Sequence, residues 1–181
     1  MSSVGTIRLL RALVLAGSLC LQTAIADDVP RAYRQVANEH GIPQEIFYAV
    51  ALTESGKTIE SLRRRRPWPW TLNIAGEGLY FGTRWEAWRA IDETLQRGHD
   101  SIDIGLMQVN WRFHQDKLQN TWLALEPRHN LRVAAAILRA CYRERHDWWL
   151  SVGCYHAPSN AERAYRYQQR VAVLWRQVRQ S

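Results

Sequence analysis

Helical spacing dominates this chain and leaves room for little except a helix-built domain. Leu131, Ala134, Ala135, Leu138 and Cys141 or Tyr142 share one side of a segment running from Asn130 to about Glu144. Ala164, Tyr167, Val171, Leu174 and Val178 repeat the pattern in a last helix from about Asn160. Breakers and first-turn residues predict the others. One helix runs from Pro30 to about Glu39 and is ended by His40-Gly41. A second opens at Pro43, whose missing N–H costs nothing in a first turn, and stops at Ser55 before Gly56. Arg84 to Arg97, closed by Gly98, reads as a third, and Arg112 to Leu125 as one or two short ones. Strand-like alternation is scarce. Residues 57–82 read as a long irregular region holding Arg63 to Arg66, Pro67-Trp68-Pro69-Trp70 and Gly76-Glu77-Gly78, with room for a small hairpin in 66–82. The expected class is all-α.

The first 26 residues have a different character. Arg8 and Arg11 precede a short apolar run from Ala12 to Leu21, and Ala24-Ile25-Ala26 gives a small-x-small pattern before Asp27-Asp28. The run is shorter than the roughly 20 apolar residues that span a bilayer. It predicts a cleavable export signal over 1–26, cut after Ala26, and one domain over 27–181. An uncleaved anchor is the rival. Cys20 does not make a lipoprotein signal, because Leu19 before it is too bulky. Cleavage would remove two arginines and no acids, taking the net charge from +7 to +5. A basic exported protein suits acidic partners such as anionic lipid or wall polymer, and export argues against nucleic acid. Cys141 and Cys154 remain of three cysteines. In an exported chain their simplest state is a disulfide, and two buried thiols are the alternative.

Among the carboxylates, Glu54 is singled out by geometry. At 100° per residue, Phe47 and Val50 lie about 20° and 40° from it around the helix, so Glu54 extends their apolar stripe. Partial desolvation there would raise its pKa and keep it protonated near neutrality, as a general acid requires. A helix-terminal glutamate bonded to nearby backbone is the equally open alternative. About fifty residues on, Gly105-Leu106-Met107-Gln108-Val109-Asn110 reads as a polar-tipped turn able to line the same cleft. The six histidines show no metal-ligand spacing, and no phosphate loop, G-x-S-x-G or Cys/His nucleophile pattern is present. Neither metal nor cofactor is expected.

The runs HGIPQEIFYAVALTES (40–55), DIGLMQVNW (103–111), VGCYHAP (152–158) and AYRYQQRV (164–171) together resemble the SLT-domain, family 1, lytic transglycosylases. Residues 66–73 and the cysteine pair are similar to the small periplasmic members associated with type IV secretion, conjugation and integrative elements. The resemblance implies a lysozyme-like fold of the goose-type class and a substrate of peptidoglycan glycan strands. It implies Glu54 as catalytic acid/base, with Ser55 orienting the carboxylate or the substrate. Gly105, Leu106, Met107 and Gln108 would line the cleft, with Gln108 contacting sugar. Tyr155 would fall in the motif usually written Ala-Tyr-Asn-Ala-Gly, and Tyr167 would be the late tyrosine that reaches the glutamate, with Tyr165 as fallback. His156 departs from the pattern, standing where an asparagine amide would bind an N-acetyl group.

Two other functions compete. A hydrolytic muramidase would pair Glu54 with a second acid, Asp103 or Glu77, with Asp100 a further candidate. A wall-binding assembly factor would keep the fold without the chemistry. For the Arg63–Arg66 run with Trp68 and Trp70, a glycan grip and a solvated loop with packed tryptophans are equally open. Trp85, Trp88, Trp111, Trp122, Trp148, Trp149 and Trp175 are expected in the core.

Overall fold

The computed structural model describes residues 29–180. The expected export signal and its cut after Ala26 lie outside the described residues. Helix α1 (Arg31–Glu39) packs on α2 (Gln44–Ser55), and α2 in turn packs against the long C-terminal α8 (Ala161–Gln180). Helix α6 (Pro127–Arg145) lies against α7 (Trp148–His156), which also packs on α8. Short α4 (Trp111–Leu118) and α5 (Thr121–Ala124) sit on α6, and α3 (Arg84–Gln96) contacts α5. Helix α2 is the axis of the core. Residues Ile46 to Leu52 are all buried along it, so apolar side chains surround nearly its whole circumference. Among the described residues no helix is long and apolar enough to cross a membrane.

The fold is mostly helical and lysozyme-like, but it carries more β-structure than the sequence pattern suggests. Residues 57–82 are not irregular. β1 (Gly56–Ile59) and β2 (Arg64–Pro67) form an antiparallel hairpin with Gly56 opposite Pro67. A second antiparallel sheet has the order β4-β3-β5-β6, built from β3 (Thr71–Ile74), β4 (Glu77–Tyr80), β5 (Ile102–Ile104) and β6 (Val109–Asn110). The β3–β4 hairpin falls inside the 66–82 window. Its turn places Ala75 and Gly76 at φ 53° and 89°, a geometry matching the twist of the flanking strands. The chain enters β1 straight from α2. A Cβ on Gly56 would lie 2.2 Å from the Leu52 carbonyl oxygen, so only glycine makes that corner.

Helix α7 is the second departure, because no helix was expected between Glu144 and Asn160. Its sequence, Trp148 to His156, is apolar on nearly all sides, and Ser151 through Cys154 are buried. A helix that is apolar nearly all round, even where Leu150 is exposed, has no polar face, hence no readable period. Asp147 caps it, accepting from the Leu150 N–H at 2.8 Å. Cys141 and Cys154 form a disulfide with Cα atoms 5.9 Å apart, tying α7 to α6 one residue before Tyr155. The loop-entropy argument puts that link on the order of 3 kcal/mol.

Candidate active site

Glu54 sits half-buried in the last turn of α2, above Phe47 and Val50, which are fully buried. Its partner comes from α8: the Tyr167 hydroxyl donates to Glu54 Oε1 at 2.5 Å, and that ring is 1% exposed. Tyr165, the fallback, is 61% exposed, and it is Tyr167 that reaches the glutamate. Burial pushes the Glu54 carboxyl up to about 7, helped by the negative charge of Asp103. The Tyr167 hydrogen bond and the Arg170 guanidinium pull the other way. Near neutral pH the group is therefore divided between a proton-donating and a proton-accepting form.

The Gly105–Gln108 turn is the loop of the β5–β6 hairpin, where Asp103 pairs with Asn110 and Ile104 with Val109. It is fastened from four directions. Ser55 Oγ donates to the Leu106 carbonyl at 2.7 Å and Tyr155 Oη to the Met107 carbonyl at 2.7 Å. Gly105 N–H donates to the Thr71 carbonyl at 2.8 Å. Asn130, 1% exposed, accepts from Met107 N–H at 2.9 Å and donates to the Ile104 and Ala124 carbonyls at 2.9 and 3.1 Å. Gly105 lies at φ +81°, and a Cβ on it would stand 2.8 Å from the Asn130 amide carbon, so both conformation and space require glycine. Gln108 has φ 47° and donates through Nε2 to the Gly105 and Thr71 carbonyls at 2.9 and 3.1 Å. Its side-chain oxygen is left without a partner among the described residues.

Several expected site residues have other surroundings than those the resemblance implied. Ser55 is fully buried, and its hydroxyl fastens the turn to α2 instead of facing Glu54 or the cleft. One residue beyond Glu54 on a helix is 100° away, here into the core. The Met107 side chain is fully buried too, leaving only its backbone at the turn. Tyr155 is half-buried beside Glu54 and Asp103, whose charges, after burial itself, raise its phenol well above the usual range. His156 stacks on Tyr167 with ring centroids 4.3 Å apart and planes within 3°. Burial, then Arg170 and Arg163, hold its imidazole below its ordinary value, so it stays neutral at pH 7.

Of the candidate second acids, Asp103 is the one near Glu54. It is half-buried and accepts from Asn110 Nδ2 at 2.8 Å, and burial raises its carboxyl despite that bond. Glu77 is exposed beside the β3–β4 turn. Asp100 is tied to Arg112 at 2.5 Å. In the arginine–tryptophan region, Arg63, Arg64 and Arg65 are exposed, while Arg66 donates to the Tyr48 hydroxyl at 3.1 Å. Trp68 donates to the Phe81 carbonyl at 2.7 Å beneath Lys57, and Trp70 packs on the core. Two expected core tryptophans are not there: Trp85 is 56% and Trp122 43% exposed.

Asn130 is the residue that sequence reasoning passed over as a helix opening. The signal was available. Asn130 lies about 40° from Ala134 and 20° from Cys141 around α6, a lone amide on an apolar stripe. A buried amide needs partners, and here they are the turn.

The mostly helical fold holds one desolvated carboxyl, that of Glu54, bonded to Tyr167 and within electrostatic reach of Asp103. The chain belongs to the transglycosylase SLT domain family, which it matches over residues 31–172. No curated protein and no solved structure matches the chain.

Removing the Tyr167 hydroxyl gives a test of this electrostatic arrangement. That bond favours ionised Glu54, so Tyr167→Phe is expected to raise the Glu54 pKa further. The alkaline limb of the kcat/KM profile should move to higher pH, while kcat falls about tenfold as the carboxyl loses its orienting partner. An unmoved limb would remove Tyr167 from the account.

Proposed function

We propose that this protein is an exported lytic transglycosylase that cleaves the bond between N-acetylmuramic acid and N-acetylglucosamine in peptidoglycan. The observation that carries the reading is Glu54 raised to about 7, bonded to Tyr167, inside a family of transglycosylase domains. Neutral Glu54 donates its proton to the glycosidic oxygen as the C1–O bond breaks. The substrate's own N-acetyl carbonyl stabilises the positive anomeric carbon. Glu54, now ionised, takes the proton of the muramoyl C6 hydroxyl, whose oxygen bonds to C1 and closes a 1,6-anhydro ring. Protons balance, and no water is consumed. Each proton transfer supplies about 10²–10⁴ in rate. Tyr167 orients the carboxyl, the Gln108 side-chain oxygen and the turn backbone meet the sugar, and Tyr155 and Ser55 keep the turn in place.

Local opening of the wall for a secretion or conjugation apparatus, in the periplasm, is the accompanying role. It rests on the resemblance of residues 66–73 and the cysteine pair to that subgroup, and on the signal-like 1–26 segment.

The hydrolytic reading draws on one observation, the charge of Asp103 felt at Glu54. In that mechanism Asp103 would activate water, and Asp103→Asn would abolish cleavage. In the transglycosylase, Asp103→Asn removes a charge that raises the Glu54 pKa, so kcat/KM should stay within about tenfold of wild type. A loss of about a thousandfold or more would favour the hydrolase.

A further inference from the structure

Beside the catalytic glutamate lies a pocket of about 310 Å³ lined by His156, Arg163, Arg166, Tyr167 and Arg170. We propose that this pocket binds the carboxylates of the peptide stem carried by the muramoyl sugar, so that the protein selects glycan strands still bearing stems. The inference rests on the peptidoglycan reading above and names which part of that polymer the site recognises.

Three arginines converge there because of helix geometry. Positions 163, 166, 167 and 170 of α8 fall within about 100° of one another around the axis, so one face presents the guanidinium groups and the Tyr167 ring together. Like charges at these spacings repel and weaken a helix, and a solvated face would intersperse acids. Here one acid compensates: Glu162 meets Arg166 at 2.9 Å in an exposed, weak pair. Arg170 stands 5.4 Å over the Tyr167 ring. The Arg163 guanidinium has no carboxylate partner among the described residues. Stacked His156 and Tyr167 form an aromatic wall on one side of the three exposed arginines.

The chemistry that fits is carboxylate in more than one copy. A guanidinium fork meets a carboxylate with two parallel hydrogen bonds, and three forks within two helical turns suit a chain carrying several acids. Stem peptides hang from the muramoyl lactyl group and carry side-chain and terminal carboxylates. Through Tyr167 the pocket shares a wall with Glu54, so a stem on the cleaved muramoyl residue lies within reach. The volume sits at the small end of the roughly 300–1,000 Å³ typical of ligand sites, enough for a short peptide segment.

The test uses soluble glycan strands in two forms, with stems intact and with stems removed by an amidase, which leaves the lactyl carboxylate. Wild type and an Arg163→Gln/Arg166→Gln variant are compared, with circular dichroism confirming that both are folded. Wild type is expected to show a lower KM for stem-bearing strands. In the variant that KM rises about tenfold, kcat changes less than about twofold, and the gap between the two substrates closes. Arg163→Lys, which keeps charge without the fork, should recover part of the difference. Equal KM changes on both substrates would overturn the proposal by assigning the arginines to a group common to both, such as the lactyl carboxylate. No change on either would overturn it outright. Wild type cleaving stripped strands normally with no stem preference would sink the pocket while sparing the transglycosylase reading. Wild type cleaving neither form would sink both.

Discussion

Glu54→Gln is expected to lower kcat by at least about 10³ while leaving the fold intact. Both proton transfers pass through this one carboxyl, and an amide can neither donate to the leaving oxygen nor take the C6 proton. Glutamine still presents an oxygen to the Tyr167 hydroxyl, so the local packing survives. The same substitution has a stability signature. In the unfolded chain the carboxyl ionises near 4.5, and in the fold near 7. Between those values the native state holds more protons than the unfolded one, so stability falls as pH rises through that window and then levels. Glutamine lacks this penalty. Melting curves should show the variant matching wild type near pH 4 and exceeding it at pH 8, an active-site group maintained at a cost in stability. Retained activity above about a tenth of wild type would remove Glu54 from the centre of the mechanism.

Asn130→Ala is the second large effect, and it acts without touching substrate. The side chain supplies an acceptor to Met107 N–H and two donors to the Ile104 and Ala124 carbonyls, all buried. Truncation strips those three backbone groups of their side-chain partner in a region closed to water, at about 1–3 kcal/mol apiece. A total loss of at least about 3 kcal/mol is expected, a large part of the 5–15 kcal/mol typical of a domain. The turn should also loosen. Well below the variant's melting temperature, where the protein is folded, kcat is expected to remain about 10² below wild type, because small misplacements of positioning groups carry such factors. Normal kcat in folded Asn130→Ala would show that the turn is held adequately by Ser55, Tyr155 and Thr71.

Legibility from sequence followed burial pattern. Helices with one wet face, α6 and α8, announced themselves through their period, and α2 through Pro43 and Gly56. Helix α7 did not, since its residues are apolar nearly all round and leave no polar face to alternate. The strands, two to four residues each, were too short to show a period of two. β2 is Arg64-Arg65-Arg66-Pro67, which no propensity argument makes a strand; pairing with β1 decides it. The apolar stripe made Glu54 a candidate without deciding its role, and the resemblance pointed to Tyr167, whose place four residues before Val171 puts it on the buried side of α8. Ser55 and Met107 were assigned outward on the strength of resemblance, whereas their orientation depends on what α2 and the β5–β6 loop pack against. The arginine pocket was invisible because residues 163, 166 and 170 read as an ordinary basic helix until α7 places His156 on Tyr167 beside them.

The most direct test of the central claim is cleavage of peptidoglycan in water enriched in oxygen-18, with the products weighed by mass spectrometry. Intramolecular closure predicts muramoyl ends one water lighter than a hydrolysis product, with no label incorporated. Reducing ends carrying one oxygen-18 would mean that water attacks the anomeric carbon, and would contradict the transglycosylase account.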